Sequence, residues 1–243
     1  MNLITRLLGF VLPALAAAPP VLGADLVTDP GAVAGIVSMT DGQLEARKIT
    51  KVVLGDVVLS SGHIVATDPL VQPDRPAFLV TVPPGRYPVT LYQFESRTAA
   101  AVMRFAPGHV FRWQLAMIEG QDVKTLKPGE FFGYGVDTGL GSYMDKATAA
   151  LIDERDKAVQ AEKGASYISY YDDVLFDELG PNGDVPILHQ PVASKPGNVA
   201  IFSSGWGDGF YPVYWGLDAE GRPIVLLTDF QILPAASNEG TGQ

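Results

Sequence analysis

The segment from Phe202 to Gly216 concentrates residue types that contact ligands. It carries four glycines, two tryptophans, two tyrosines and one acid, Asp208. Glycines such as Gly205 and Gly207 let a backbone turn sharply or approach a ligand closely. Aromatic faces stack on a sugar ring, an aromatic group or a cation. The binding residues expected on this reading are Gly205, Trp206, Gly207, Asp208 and Tyr211. The plainer reading is a glycine-rich hairpin whose aromatics fill a core, as strand aromatics commonly do.

A second Gly-rich stretch, Phe132 to Asp145, places Asp137 in a turn that runs into a helical pattern. Backbone amides at a helix N-terminus attract anions. Asp137 and Asp145 could instead offer oxygens to a hard cation such as Ca²⁺, but the spacing does not match an EF-hand. No metal site is assigned, and Asp137 stays as the alternative ligand. Asp68 and Asp229 each close a strand-like run, where acids commonly form turns. Should Asp68, Asp137, Asp208 and Asp229 meet at one end of a sandwich, two carboxylates could run glycoside hydrolysis. One would act as acid and the other as base or nucleophile. Asp137 and Asp208 are the catalytic candidates on that reading, and Asp68 and Asp229 extend the binding set.

Other chemistries find little support. The chain has no cysteine, which excludes disulfides, thiolate metal sites and a Cys nucleophile. Ser203 and Ser204 precede Gly205 without forming Gly-x-Ser-x-Gly. His63, His109 and His189 are far apart and form no metal-binding pair, so each reads as a packed or surface histidine. Neither a phosphate-binding loop nor a dinucleotide fingerprint is present, and no cofactor is expected. A net charge of −10 argues against nucleic acid and anionic membranes as partners, leaving an unidentified ligand or protein.

Residues 1–23 read as a signal peptide: Arg6 is the only charge, an apolar run follows, and cleavage fits before Ala24. Pro13, Pro19 and Pro20 interrupt the run, which falls short of the ~20 apolar residues of a membrane span. Export without cysteine fits a periplasmic or secreted protein. Residues 24–234 read as one globular domain, and 235–243 as a disordered tail.

Within that domain, strand signals dominate. Val52–Leu54, Val57–Leu59 and His63–Val65 are short β-rich runs. Ala77–Val82 and Tyr87–Phe94 read as a hairpin around a type II turn at Pro84 and Gly85. Further strands are expected at Thr98–Phe105, Phe111–Ile118, Asn198–Ser203, Phe210–Leu217 and Pro223–Phe230, and a loop from Gly180 to Gly197. One substantial helix is expected near 143–163, started by a capping box from Ser142 to Asp145. A short second one is expected from Asp173 to Leu179. The fold class expected is mainly β (α+β), an antiparallel β-sandwich or half-open barrel with that helix.

Four separated motifs carry a resemblance. They are Gly62–Pro69 (GHIVATDP), Pro84–Val89 (PGRYPV), Gly135–Gly141 (GVDTGLG) and Ser204–Val213 (SGWGDGFYPV), with Asp229 and Phe230 near the end. In this order they resemble domain of unknown function (DUF) 4241, over roughly residues 45 to 232. The resemblance implies a shared domain; it implies neither a reaction nor catalytic residues. Three readings stand: a binding module using the Gly/aromatic segment, a carboxylate hydrolase acting on a carbohydrate or other polar envelope substrate, and a structural domain.

Overall fold

A computed structural model describes residues 30–179 and 185–234. The expected signal segment and tail lie outside the described residues. Eleven strands form two antiparallel sheets. The larger contains β1 (Ile49–Leu59), β3 (Gly85–Phe94), β4 (Arg97–Arg104), β11 (Pro223–Asp229), β10 (Gly209–Leu217) and β5 (Arg112–Leu115) in that order. β6 (Gly133–Val136) pairs with the first half of β10, and β5 with the second half. The smaller sheet runs β2 (Ile64–Thr67), β7 (Leu140–Asp145), β9 (Val199–Ser203), β8 (Ile187–His189). The arrangement is a sandwich and not a closed barrel.

The central strands of both sheets are covered on both faces, which explains the nearly continuous buried runs of β4, β7, β9, β10 and β11, whereas β1 and the start of β3 are partly exposed. Strand alternation sends Ala101, Met103, Phe202, Val213, Trp215 and Leu226 between the sheets. The intervening Ala100, Val102, Tyr214, Val225 and Leu227 face outward, under a 3₁₀ helix (Gly31–Ser38) and helix α1 (Asp41–Ala46). On the far side, Val65, Met144, Val199 and Ile201 pack beneath α2 (Lys146–Lys163), a π-helical turn (Tyr171–Leu175) and α3 (Phe176–Leu179).

Several elements differ from the sequence expectation. The two runs before Leu59 are a single strand, joined through a bulge at Gly55, where φ is 131°. β1 then pairs along the whole of β3, so the expected hairpin is replaced. Gly85 lies inside β3, without the positive φ a type II turn requires. Ala77–Val82 forms no strand: it makes an isolated bridge, Phe78 to Ile118, and its Phe78, Leu79 and Val82 amides donate to the carbonyls of Ile64, Met117 and Gly62. The main helix starts three residues later than expected, because Ser142–Asp145 completes β7, fully buried at the centre of the small sheet. Asp145 is the N-cap itself and accepts the Ala147 N–H at 2.8 Å. A capping box does occur at α1, between Thr40 and Gln43. Residues 180–184 of the expected loop lie outside the described residues, and its remainder contributes the edge strand β8.

Candidate functional site

Strand direction brings the sequence-selected acids to one rim. Leu140 pairs with Ser203, Gly209 with Val136, and Thr67 with Ser142. The ends of β2, β6, β9 and β11 and the starts of β7 and β10 therefore share that rim. Asp68, Asp137, Asp208 and Asp229 all sit on these ends.

Their environments differ sharply. Asp68 is buried, and its carboxylate accepts the amides of Asp137 at 3.0 Å and Thr138 at 2.9 Å. It also accepts the Thr138 hydroxyl at 2.8 Å and the Leu70 amide at 3.0 Å. This acid fixes the Asp137–Thr138 turn and is closed to a ligand. Asp137 and Asp208 are exposed, and the β6–β10 register, extended by one residue, sets them opposite each other. Neither carboxylate accepts a hydrogen bond among the described residues. Asp229 lies on the outer face of the large sheet, since Thr228 and Phe230 point inward. Burial pushes its carboxyl up to about 6, against the lowering effect of the Gln231 amide at 2.8 Å.

The glycine-rich loop is built around the sandwich core. Gly205 has φ 73°, and a Cβ there would meet the Thr98 carbonyl at 2.7 Å and Phe230 Cβ at 2.8 Å. The Ser204 and Tyr211 hydroxyls both donate to the Gly207 carbonyl, at 2.7 and 2.9 Å. Tyr211 is buried with its ring edge-on to Phe230 at 5.0 Å, so it supports the loop and does not face outward.

Trp206 does face outward. Its side chain is 58% exposed, yet it is held from two directions. Its Nε1 donates to the Gln231 carbonyl at 3.2 Å, and the Arg97 guanidinium sits 4.8 Å from the ring centroid. Arg97 in turn donates to the Gly205 carbonyl at 3.2 Å. Phe210, 50% exposed, stacks on Phe131 with centroids 5.9 Å apart. The rim thus displays two aromatic surfaces and two open carboxylates. Among the described residues, no group of three or more acids or histidines is placed to hold a metal ion.

A second polar cluster escaped the sequence reading. His189, at the end of β8, is buried and uses both ring nitrogens. Nδ1 meets the Glu178 carboxylate at 2.9 Å, and Nε2 meets the Tyr170 hydroxyl at 2.7 Å. A carboxylate only accepts, so Nδ1 carries the proton and Tyr170 donates to Nε2. Burial lowers the proton affinity of the imidazole, opposed by Glu178. Burial likewise raises Tyr170, helped by Glu178 and opposed by Arg155. The one usable hint was the spacing of Tyr170 and Glu178, about two helical turns. Nothing linked either to His189.

The family model described as "Protein of unknown function (DUF4241)" matches residues 57–228. The chain belongs to that family. Neither a curated protein nor a solved structure matches it.

Proposed function

We propose, from a family membership that brings no activity with it, an exported carbohydrate-binding module whose contact surface is the Trp206 rim. Export follows from the signal-like pattern of residues 1–23. The observation that carries the binding reading is Trp206: a large ring left mostly exposed while Arg97 and Gln231 fix its orientation. A pre-set aromatic face costs little entropy when a sugar ring stacks on it. The open carboxylates of Asp137 and Asp208 accept hydroxyl hydrogen bonds beside it. Hydrolysis through the wider acid set draws less support, because the Asp68 carboxylate is already held by its own turn.

The test is a binding screen of the mature protein, Ala24 onward, against envelope polysaccharides and their oligosaccharides. Trp206→Ala is expected to weaken the best glycan at least about tenfold, which corresponds to about 1.4 kcal/mol. Asp208→Asn is expected to weaken it less. Absence of any glycan binding in the wild type, or equal binding by Trp206→Ala, overturns the proposal. Release of new reducing ends would move the reading to the hydrolase.

A further inference from the structure

A cavity of about 390 Å³ lies between α2, α3 and the chain that follows β8, away from the Trp206 rim. Its volume falls within the range of small-molecule sites. Three of its lining residues, Glu178, Arg155 and Glu154, carry charge. Glu154 is already paired, accepting Lys195 Nζ at 2.6 Å. The other two are open. Among the described residues the Arg155 guanidinium makes neither a hydrogen bond nor an ion pair. The Glu178 side chain is 41% exposed, and among the described residues its carboxylate is held only by His189.

We propose that this cavity binds a small zwitterion, a free α-amino acid or dipeptide, with its carboxylate on Arg155 and its ammonium on Glu178. The two opposite charges line one cavity without an ion pair joining them, so a ligand carrying both signs completes each. A simple anion would meet two glutamates, and a simple cation would meet Arg155. Ala158, Val174 and Val192 supply an apolar wall for a side chain. His189 cannot touch the ligand through nitrogen, because Tyr170 and Glu178 occupy both. It is a positioning residue that holds the Glu178 carboxylate at a fixed angle. The π-helical turn carries Val174 into the wall just before α3 delivers Glu178, a helix irregularity often found at functional sites.

The experiment is calorimetric titration of the protein with glycine, alanine, leucine, glutamate, lysine and dialanine. Acetate and methylammonium, at the same concentrations, supply each charge alone. At least one zwitterion is expected to bind, with no heat from either single-charge probe. Arg155→Gln and Glu178→Gln should each weaken that ligand at least about tenfold, and Trp206→Ala should leave it unchanged. Tyr170→Phe keeps both charges and frees the imidazole, so a smaller loss is expected. Its NMR imidazole signals should also shift, which loss of packing elsewhere would not produce. The proposal fails if no zwitterion binds the wild type, if acetate or methylammonium binds equally well, or if Arg155→Gln binds undiminished. Should Glu178→Gln not fold, Arg155→Gln, on the half-exposed flank of α2, decides alone.

Discussion

Asp68 and Glu178 are both acids with nearby hydrogen-bond donors, and they have opposite uses. Asp68 is buried and receives three backbone amides and a hydroxyl from its own loop and the facing turn. Glu178 is partly exposed and receives one imidazole N–H at the wall of a cavity. A carboxylate has roughly four lone-pair positions. Asp68 has filled its set with the protein's own groups, whereas Glu178 keeps room. Unused hydrogen-bonding capacity at an accessible position, and not acidity or turn location, separates a contact residue from a structural one here. In the aromatic segment exposure alone makes the division: the Tyr211 hydroxyl and Trp206 Nε1 are both bonded to carbonyls, but Tyr211 is buried and Trp206 is mostly exposed.

The largest expected effect tests the structural half. Asp68→Ala leaves several donors of the Asp137–Thr138 turn without a partner. A loss on the order of 3 kcal/mol is expected, from the summed cost of three amides and a hydroxyl, all in partly buried bonds, losing their acceptor. Urea melts with an unchanged m-value would check it. A loss below about 1 kcal/mol would mean that water replaces the carboxylate easily. The contrast with Glu178 would then collapse.

Asp229 gives the next effect, with the opposite sign. Its carboxyl is raised to about 6 by burial, so the folded state holds the proton more tightly than the unfolded chain. Stability is therefore fullest below the ordinary carboxylate range and falls as pH rises from about 4 to about 6. Asn cannot ionise and escapes that loss. Asp229→Asn is expected to be more stable than wild type by roughly 1–2 kcal/mol at pH 7, after allowing for partial solvent screening. The difference should vanish near pH 4. Equal stability at both pH values would show that Asp229 is as solvated as Asp137.

Glu178→Gln should cost less than about 1 kcal/mol, because the amide oxygen still accepts the His189 N–H. Its consequence belongs to the titration, where the missing charge removes the ammonium partner. A stability loss equal to that of Asp68→Ala would make Glu178 a structural acid as well.

These contrasts were only half legible in the sequence. Strand content, the two-sheet arrangement and the placing of acids at strand ends follow from apolar runs bounded by Gly, Pro and Asp. Ser142 to Asp145 misled for a physical reason. A capping pattern and a buried central strand share these residues, and with both sheet faces covered no alternation distinguishes them. Gly55 misled similarly, as a bulge in a continuous strand resembles a break between two. The fate of Asp68 was hidden because the donors that close it off, unlike the local Leu70 amide, lie 69 and 70 residues away. His189 was passed over because its partners come from another element across a proline-rich stretch. No local rule ranks such contacts.

Trp206→Ala is the smallest stability effect and the one that best separates display from support. The ring is mostly solvated, so its removal forfeits little burial. What remains is the Arg97 contact, about 0.5–1 kcal/mol at an exposed site, and one solvent-facing hydrogen bond to Gln231. A change below about 1 kcal/mol is expected by those terms. Trp215, nine positions on, is fully buried between the sheets against Phe78 and Phe105. Trp215→Ala should cost about 3–5 kcal/mol as a core truncation. If the two variants melted together, Trp206 would be a structural plug. If Trp206→Ala melts with the wild type and loses glycan binding, the exposed ring serves recognition, because folding does not need it.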